Sequence, residues 1–147
     1  MSSQPAPRSN ASRYLFLFLL GLVIGIIGVV MALRAIEGRK TWQDRLPDAA
    51  MNVMQAHVEQ LRATATANRC GATDVLPHMQ TLRVMANDLE PAFPGIREDA
   101  RFAQHAGKLR ATLDGVLASP PLGCPGLEGA VKQIGEACKA CHQDFRG

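Results

Sequence analysis

Apolar and polar residues are patterned in two different ways along this chain. From Tyr14 to Leu33 they do not alternate at all: YLFLFLLGLVIGIIGVVMAL runs for 20 residues without a charge. A helix of that length spans ~30 Å, about one hydrocarbon core. The run therefore reads as a single transmembrane anchor over residues 14–34. The competing reading is a cleaved signal peptide. Such peptides have apolar cores of about 7–15 residues followed by a small-x-small cleavage site. This run is longer, and the stretch after Val30 offers no good site.

From Asp44 onward the apolar positions recur every three or four residues, the period of an amphipathic helix. A first helix is predicted over 47–68, with Met51, Met54, Val58, Leu61 and Ala65 on one stripe and Pro47 in its first turn. A second covers 73–89, with Val75, Met79, Leu82 and Leu89 inward and Thr73 able to cap it. A third covers 97–118, with Phe102, Ala106, Leu109, Leu113 and Val116, stopped by Ser119-Pro120-Pro121. A fourth covers 126–146, with Leu127, Val131, Ile134, Cys138, Cys141 and Phe145. The expected fold is all-α, an up-down-up-down four-helix bundle over residues 47–147. A disordered tail (1–13), the anchor (14–34) and a linker (35–46) precede it.

Composition supports the helical reading, since the chain is 47% hydrophobic but only 5% aromatic, and strands favour aromatics. Charge changes the picture in one respect. Residues 1–40 carry five Lys/Arg against Glu37 alone, whereas the remaining 107 residues carry 11 Lys/Arg and 12 Asp/Glu. The basic balance belongs to the anchor's flanks, and the near-neutral bundle gives no reason to expect a nucleic-acid partner. Arg8 and Arg13 before the span and Arg34, Arg39, Lys40 and Arg45 after it leave orientation ambiguous. Trp42 suits an interfacial position just outside the membrane.

The chemistry lies near the C-terminus. Cys138-Lys139-Ala140-Cys141-His142 has the C-x-x-C-H spacing of c-type haem attachment. Two thiols at that spacing can add to the two vinyl groups of one haem, and the following imidazole is then held at the iron. A thioredoxin-like C-x-x-C would open a helix after a strand, and no strand is predicted. A zinc site needs about four ligands, and the sequence has no second C-x-x-C. The remaining alternative is a haem-free bundle with thiol-redox or structural character. No paired carboxylates beside a nucleophile and no phosphate-binding loop are present, so an enzyme is not expected.

The run from Cys138 to Arg146, closing the last helix of a four-helix bundle, resembles the cytochrome c prime family of class II c-type cytochromes. The resemblance covers about residues 44–147, and its specific part is the last nine residues. It implies one covalent haem c per chain on Cys138 and Cys141, with His142 as proximal iron ligand. Arg146 matches the family's basic residue near the proximal face; an exposed arginine at a helix C-terminus is the plainer reading. Family members often pair through their first two helices, which implies a homodimer. The anchor departs from the family's usual soluble form.

The distal side stays open. The first and last helices are expected to be antiparallel, and His142 lies 16 residues past Gly126. Sixteen residues back from Asn68 is Asn52, so Met51 and Met54 stand at about the right level. Met51 is the first candidate ligand, an iron with no distal protein ligand stands level with it, and Met54 and His57 follow. A Met-ligated iron suits electron transfer; an open one binds NO or CO. His78 and His105 read as surface residues.

Cys70 and Cys124 fall in the first and third loops, at one end of such a bundle. A disulfide there would close a loop of over 50 residues and stabilise by ~3–4 kcal/mol. Disulfide and haem attachment both point to the periplasm, with the chain anchored in the inner membrane. The expected partners are the membrane and a membrane-bound or periplasmic redox protein. Since the last helix returns to the end where the first begins, the haem is expected near the bilayer.

Overall fold

A computed structural model describes residues 11–145. Among them every regular element is helical, in the order α1 (Ala11–Glu37), α2 (Trp42–Thr66), α3 (Ala72–Met85), α4 (Leu89–Ala92), α5 (Ala100–Ala118) and α6 (Gly123–Phe145). Residues 1–41 and 42–147 form two separate compact units.

The first unit is α1. Its 27 residues include an 18-residue stretch with a mean hydropathy of 3.0, and none of the helix is buried, so it is long and apolar enough to cross a membrane. The expected tail over 1–13 needs correction at its end: Ala11–Arg13 already belong to the helix, and residues 1–10 lie outside the described part. The expected linker over 35–46 is also too long. Ala35, Ile36 and Glu37 propagate α1, and Gly38 then bonds back to the Arg34 carbonyl at 2.8 Å. Lys40 closes the turn on Glu37 at 2.9 Å. α2 starts at Trp42, five residues before Pro47, with Asp44 in its first turn where the helix dipole favours a carboxylate. Pro47 therefore sits in the second turn and removes one intrahelical hydrogen bond.

The second unit is the bundle. Its four long helices touch in the cyclic order α2, α3, α5, α6 and back to α2. The core contains the residues at the predicted stripe positions: Met54, Val58 and Leu61 of α2, Val75, Met79 and Leu82 of α3, Leu109 and Leu113 of α5, Leu127 and Ile134 of α6. Each large aliphatic side chain so buried contributes about 1.5–3 kcal/mol.

The helix ends explain where the boundaries differ from the pattern. α2 ends in a Schellman motif: Asn68 adopts φ 54°, its N–H donates to the Ala65 carbonyl, and that of Arg69 donates to Thr64. The N-cap of α3 is Gly71, without a side-chain cap bond, so Thr73 lies inside the first turn and does not cap. α3 stops at Met85, four residues early. Asn87 and Asp88 there make tight i→i−3 bonds to Val84 and Met85, and Arg83 holds the Asn87 side chain at 2.7 Å. The chain then forms the short α4, which the pattern does not reveal. α5 starts at Ala100, three residues later than expected, because the Asp99 carboxylate caps it by accepting from the Arg101 N–H at 2.8 Å.

α6 begins three residues earlier than expected. Gly123 turns the chain with φ +67°, and Gly126 lets the helix pass Pro121, where a Cβ would come within 3.2 Å. Cys124 thus lies in the first turn of α6. It is disulfide-bonded to Cys70, which follows α2. The end of α2 is thereby fixed to the start of α6, and the two run antiparallel. Their other ends, the start of α2 and the finish of α6, meet at the opposite pole.

Candidate functional site

At that pole the bundle opens into a cavity of about 530 Å³, within the range of about 300–1,000 Å³ usual for small-molecule and cofactor sites. Every helix of the bundle contributes to its wall. α6 supplies Ala137, Cys138, Cys141, His142 and Phe145, while Met51, Asn52, Met54, Gln55 and Val58 come from α2. Leu82, Leu89, Phe93 and Ile96 line a third side, and Phe102, His105, Ala106 and Leu109 of α5 the fourth.

Helical spacing accounts for the α6 face. Cys138, Cys141 and Phe145 are three and four residues apart, so they form one ridge. His142 is one position further round and exposed; both cysteines are half-buried. The two thiols are not joined to each other. Burial is the main reason that each thiol is harder to ionise than usual. The charge of Cys141 adds to this for Cys138, and that of Asp144 for Cys141. Both also lie in the C-terminal half of α6, where the helix dipole disfavours an anion. The pair is thus held as neutral thiols facing an apolar space.

α2 provides the opposite wall. Met54 is buried in the core, whereas Met51 is half-buried and packs against its edge. His57 does not line the cavity. It points to α3, where its Nδ1 lies 2.9 Å from Nδ1 of His78. His57 is therefore removed from the distal candidates, while Met51 and Met54 both border the space. Arg146 lies outside the described residues.

Three features of the site carry no clear signal in the sequence. His105, expected at the surface, is a part-buried wall residue. Its Nε2 lies 2.9 Å from Asp144 Oδ2, which ties the start of α5 to the last turn of α6. Phe102 packs against Phe93 with tilted rings at 5.7 Å and edge-on to Phe145 at 5.5 Å, closing the floor. Arg101 covers the outer side of Phe145 at 5.3 Å. Finally, Arg110 of α5 donates to both carboxylate oxygens of Glu90 at 2.7 and 2.8 Å, and to the Ala86 carbonyl at 3.0 Å. This fork holds α4, and with it Leu89 and Phe93, against the cavity. A 20-residue separation, with Glu90 on an element the pattern does not reveal, hides such a pair.

The site is thus an apolar, roughly cofactor-sized cavity in an all-α bundle, with two thiols and an imidazole on one wall and a thioether on the facing wall. Residues of those types can hold a metal-centred macrocycle. The chain is similar to cytochrome c-556 of Agrobacterium tumefaciens (strain II Chrys), with 44% identity over 45 residues. That stretch is 31% of this chain and 37% of the relative, so the match spans little over a third of the cytochrome's length. No family profile matches the chain, and no solved structure matches it.

Proposed function

We propose that this chain is a membrane-tethered c-type cytochrome that carries electrons in the periplasm. The observation that carries the reading is the convergence of Cys138, Cys141 and His142 on one apolar cavity. The partial similarity to cytochrome c-556 supports it.

The cavity's chemistry fits haem c. Cys138 and Cys141 would each hold the haem by adding across one vinyl group: a sulfur–carbon bond would form, the vinyl double bond would become single, and the thiol proton would end on the neighbouring carbon. No oxidant is needed. When bound, the haem supplies a reversible one-electron centre. His142 would hold the iron from α6 and Met51 would be the candidate thioether from α2, chosen over Met54 because Met54 is committed to the core. The apolar walls of Leu82, Leu89, Phe93 and Phe102 keep water from the ring, and the His105–Asp144 contact steadies the turn that carries His142. The haem-free thiol-redox alternative is less favoured. Redox-active thiols have depressed pKa values and commonly sit at helix N-termini, and here both conditions are reversed. α1 tethers the bundle to the inner membrane, and a redox protein of that membrane or of the periplasm is the exchange partner.

The test is to produce the chain in a host with haem-maturation machinery and record ferric and ferrous spectra with and without CO. A low-spin spectrum that CO leaves unchanged is expected, and Met51→Ala is expected to open the iron to CO. A wild-type spectrum that is high-spin and shifts with CO would replace electron transfer by binding of diatomic gases such as NO. A colourless protein would leave the thiol bundle.

A further inference from the structure

The core between α2 and α3 is apolar along Met54, Val58 and Leu61 on one side and Val75, Met79 and Leu82 on the other. Beside it stand two histidines that the haem reading does not use. His57 and His78, both half-buried, place their Nδ1 atoms 2.9 Å apart. The ring centroids are 5.1 Å apart and the rings are tilted by 50°, so the rings meet edge to edge through one hydrogen bond. One Nδ1 donates its proton and the other accepts. Neither histidine lines the cavity, but their neighbours do: Met54 one turn before His57, Val58 just after it, and Leu82 one turn past His78.

We propose that the His57–His78 hydrogen bond is an acid-released tie, which holds the α2 wall of the cavity to its α3 wall until both rings carry an extra proton.

Counting protons shows how it works. In the neutral pair a single Nδ1 proton is shared. A first added proton goes to Nε2 of the donor ring, and the bond persists in a charge-assisted form. A second can go only to the accepting Nδ1. Two N–H groups then face each other with no acceptor between them, and two cations stand in contact. Burial, and then the charge of His78, make His57 harder to protonate than an ordinary histidine. The folded chain therefore binds fewer protons there than the unfolded chain does. The tie's stabilisation is fully present above the unfolded value of about 6.5 and is lost as pH falls through the lower folded value.

The charged groups on the surrounding helices are mostly engaged with one another. On α2, Glu59 bonds both Gln55 and Arg62 at 2.6 Å. On α3, Arg83 is paired with Asp114 of α5, and Asp74 lies four residues before His78. Glu90 of α4 is held by Arg110. α6 meets α2 across a groove lined by Arg62, Glu128, Lys132, Glu136 and Lys139, and His57 is not part of it.

The experiment uses the full chain purified in detergent, with any haem kept ferrous. Urea midpoints are measured from about pH 7.5 to about pH 4.5 for wild type, His57→Gln and His78→Gln, so that titrations common to all three cancel. Glutamine keeps a hydrogen-bonding side chain and removes the titration. Over that range the wild-type midpoint is expected to fall by about 0.5 M more than that of either variant. Nitrogen-15 resonance of the histidines reads the tie itself. A coupling between the two Nδ1 atoms through their shared proton is expected at the upper pH, and its loss on protonation of His57 at the lower. Equal pH dependence in all three chains would overturn the proposal. So would a coupling that is absent at the upper pH or that persists at the lower. If a substitution unfolds the bundle, the coupling in the wild-type chain decides alone. Neither readout needs the haem, so a colourless protein would sink the haem reading and leave the tie to be judged by the same two measurements.

Discussion

Single residues at the cavity have separable tasks. Met51 faces the C-x-x-C-H wall from α2, and under the proposed ligation its replacement by alanine changes the spin state without unfolding the bundle. Met51 is only half-buried, so truncation should cost less than the roughly 2–5 kcal/mol of a fully buried methionine; chemical denaturation beside the optical spectrum separates the two effects. Glu90 gives a pH signature. The hydrogen bond from Arg110 is the main reason its carboxyl titrates below the ordinary range. A depressed folded value contributes stability above the unfolded pKa of about 4.3, and that contribution is lost as pH falls through the folded value. Glu90→Gln is therefore expected to cost about 1–2 kcal/mol at pH 7, and the gap to wild type is expected to narrow below about pH 4. Urea unfolding at a series of pH values measures it; a gap independent of pH would mean that the ion pair contributes nothing.

At the level of elements, the amphipathic period was enough to locate the four long helices, because each buries a stripe and a stripe is local information. Val58 and Leu61, or Leu109 and Leu113, point inward for that reason alone. Boundaries were less legible where a cap decides them, as at Asp99 and Gly71, or where a proline is carried in a second turn, as at Pro47 and Pro77. Pairings between helices were hidden altogether: His57 with His78, His105 with Asp144, and Glu90 with Arg110 each depend on a partner at least 20 residues away. The C-x-x-C-H wall was legible because its spacing lies within one helix. The cap makes its own prediction. Asp99→Ala removes the carboxylate that caps the first turn of α5 and should cost about 1 kcal/mol, read as a lower urea midpoint with an unchanged slope. The Cys70–Cys124 disulfide closes a span of 54 residues at the pole opposite the cavity. Replacing both cysteines with serine is expected to cost about 2–4 kcal/mol while leaving the cavity spectrum intact, which thermal unfolding and the optical spectrum read together. An altered spectrum would mean that the two poles are coupled.

The whole molecule combines an apolar helix with a bundle that folds around its own core. If α1 remains as a tether, the chain stays with membranes through a high-salt wash, and deletion of residues 1–40 releases it; a mature protein whose N-terminus starts beyond α1 would show instead that the helix is removed as a signal. The bundle meanwhile places a four-sided apolar cavity between a thiol-imidazole wall on α6 and a thioether on α2. The account as a whole rests on covalent haem at that wall. Its most direct test is the intact mass of the denatured chain, purified from a host that matures c-type cytochromes, for wild type and for the Cys138→Ser/Cys141→Ser double variant. The account predicts the mass of one haem added to the wild-type chain and none added to the variant; an unmodified wild-type mass, in a host whose own cytochromes mature, would contradict it.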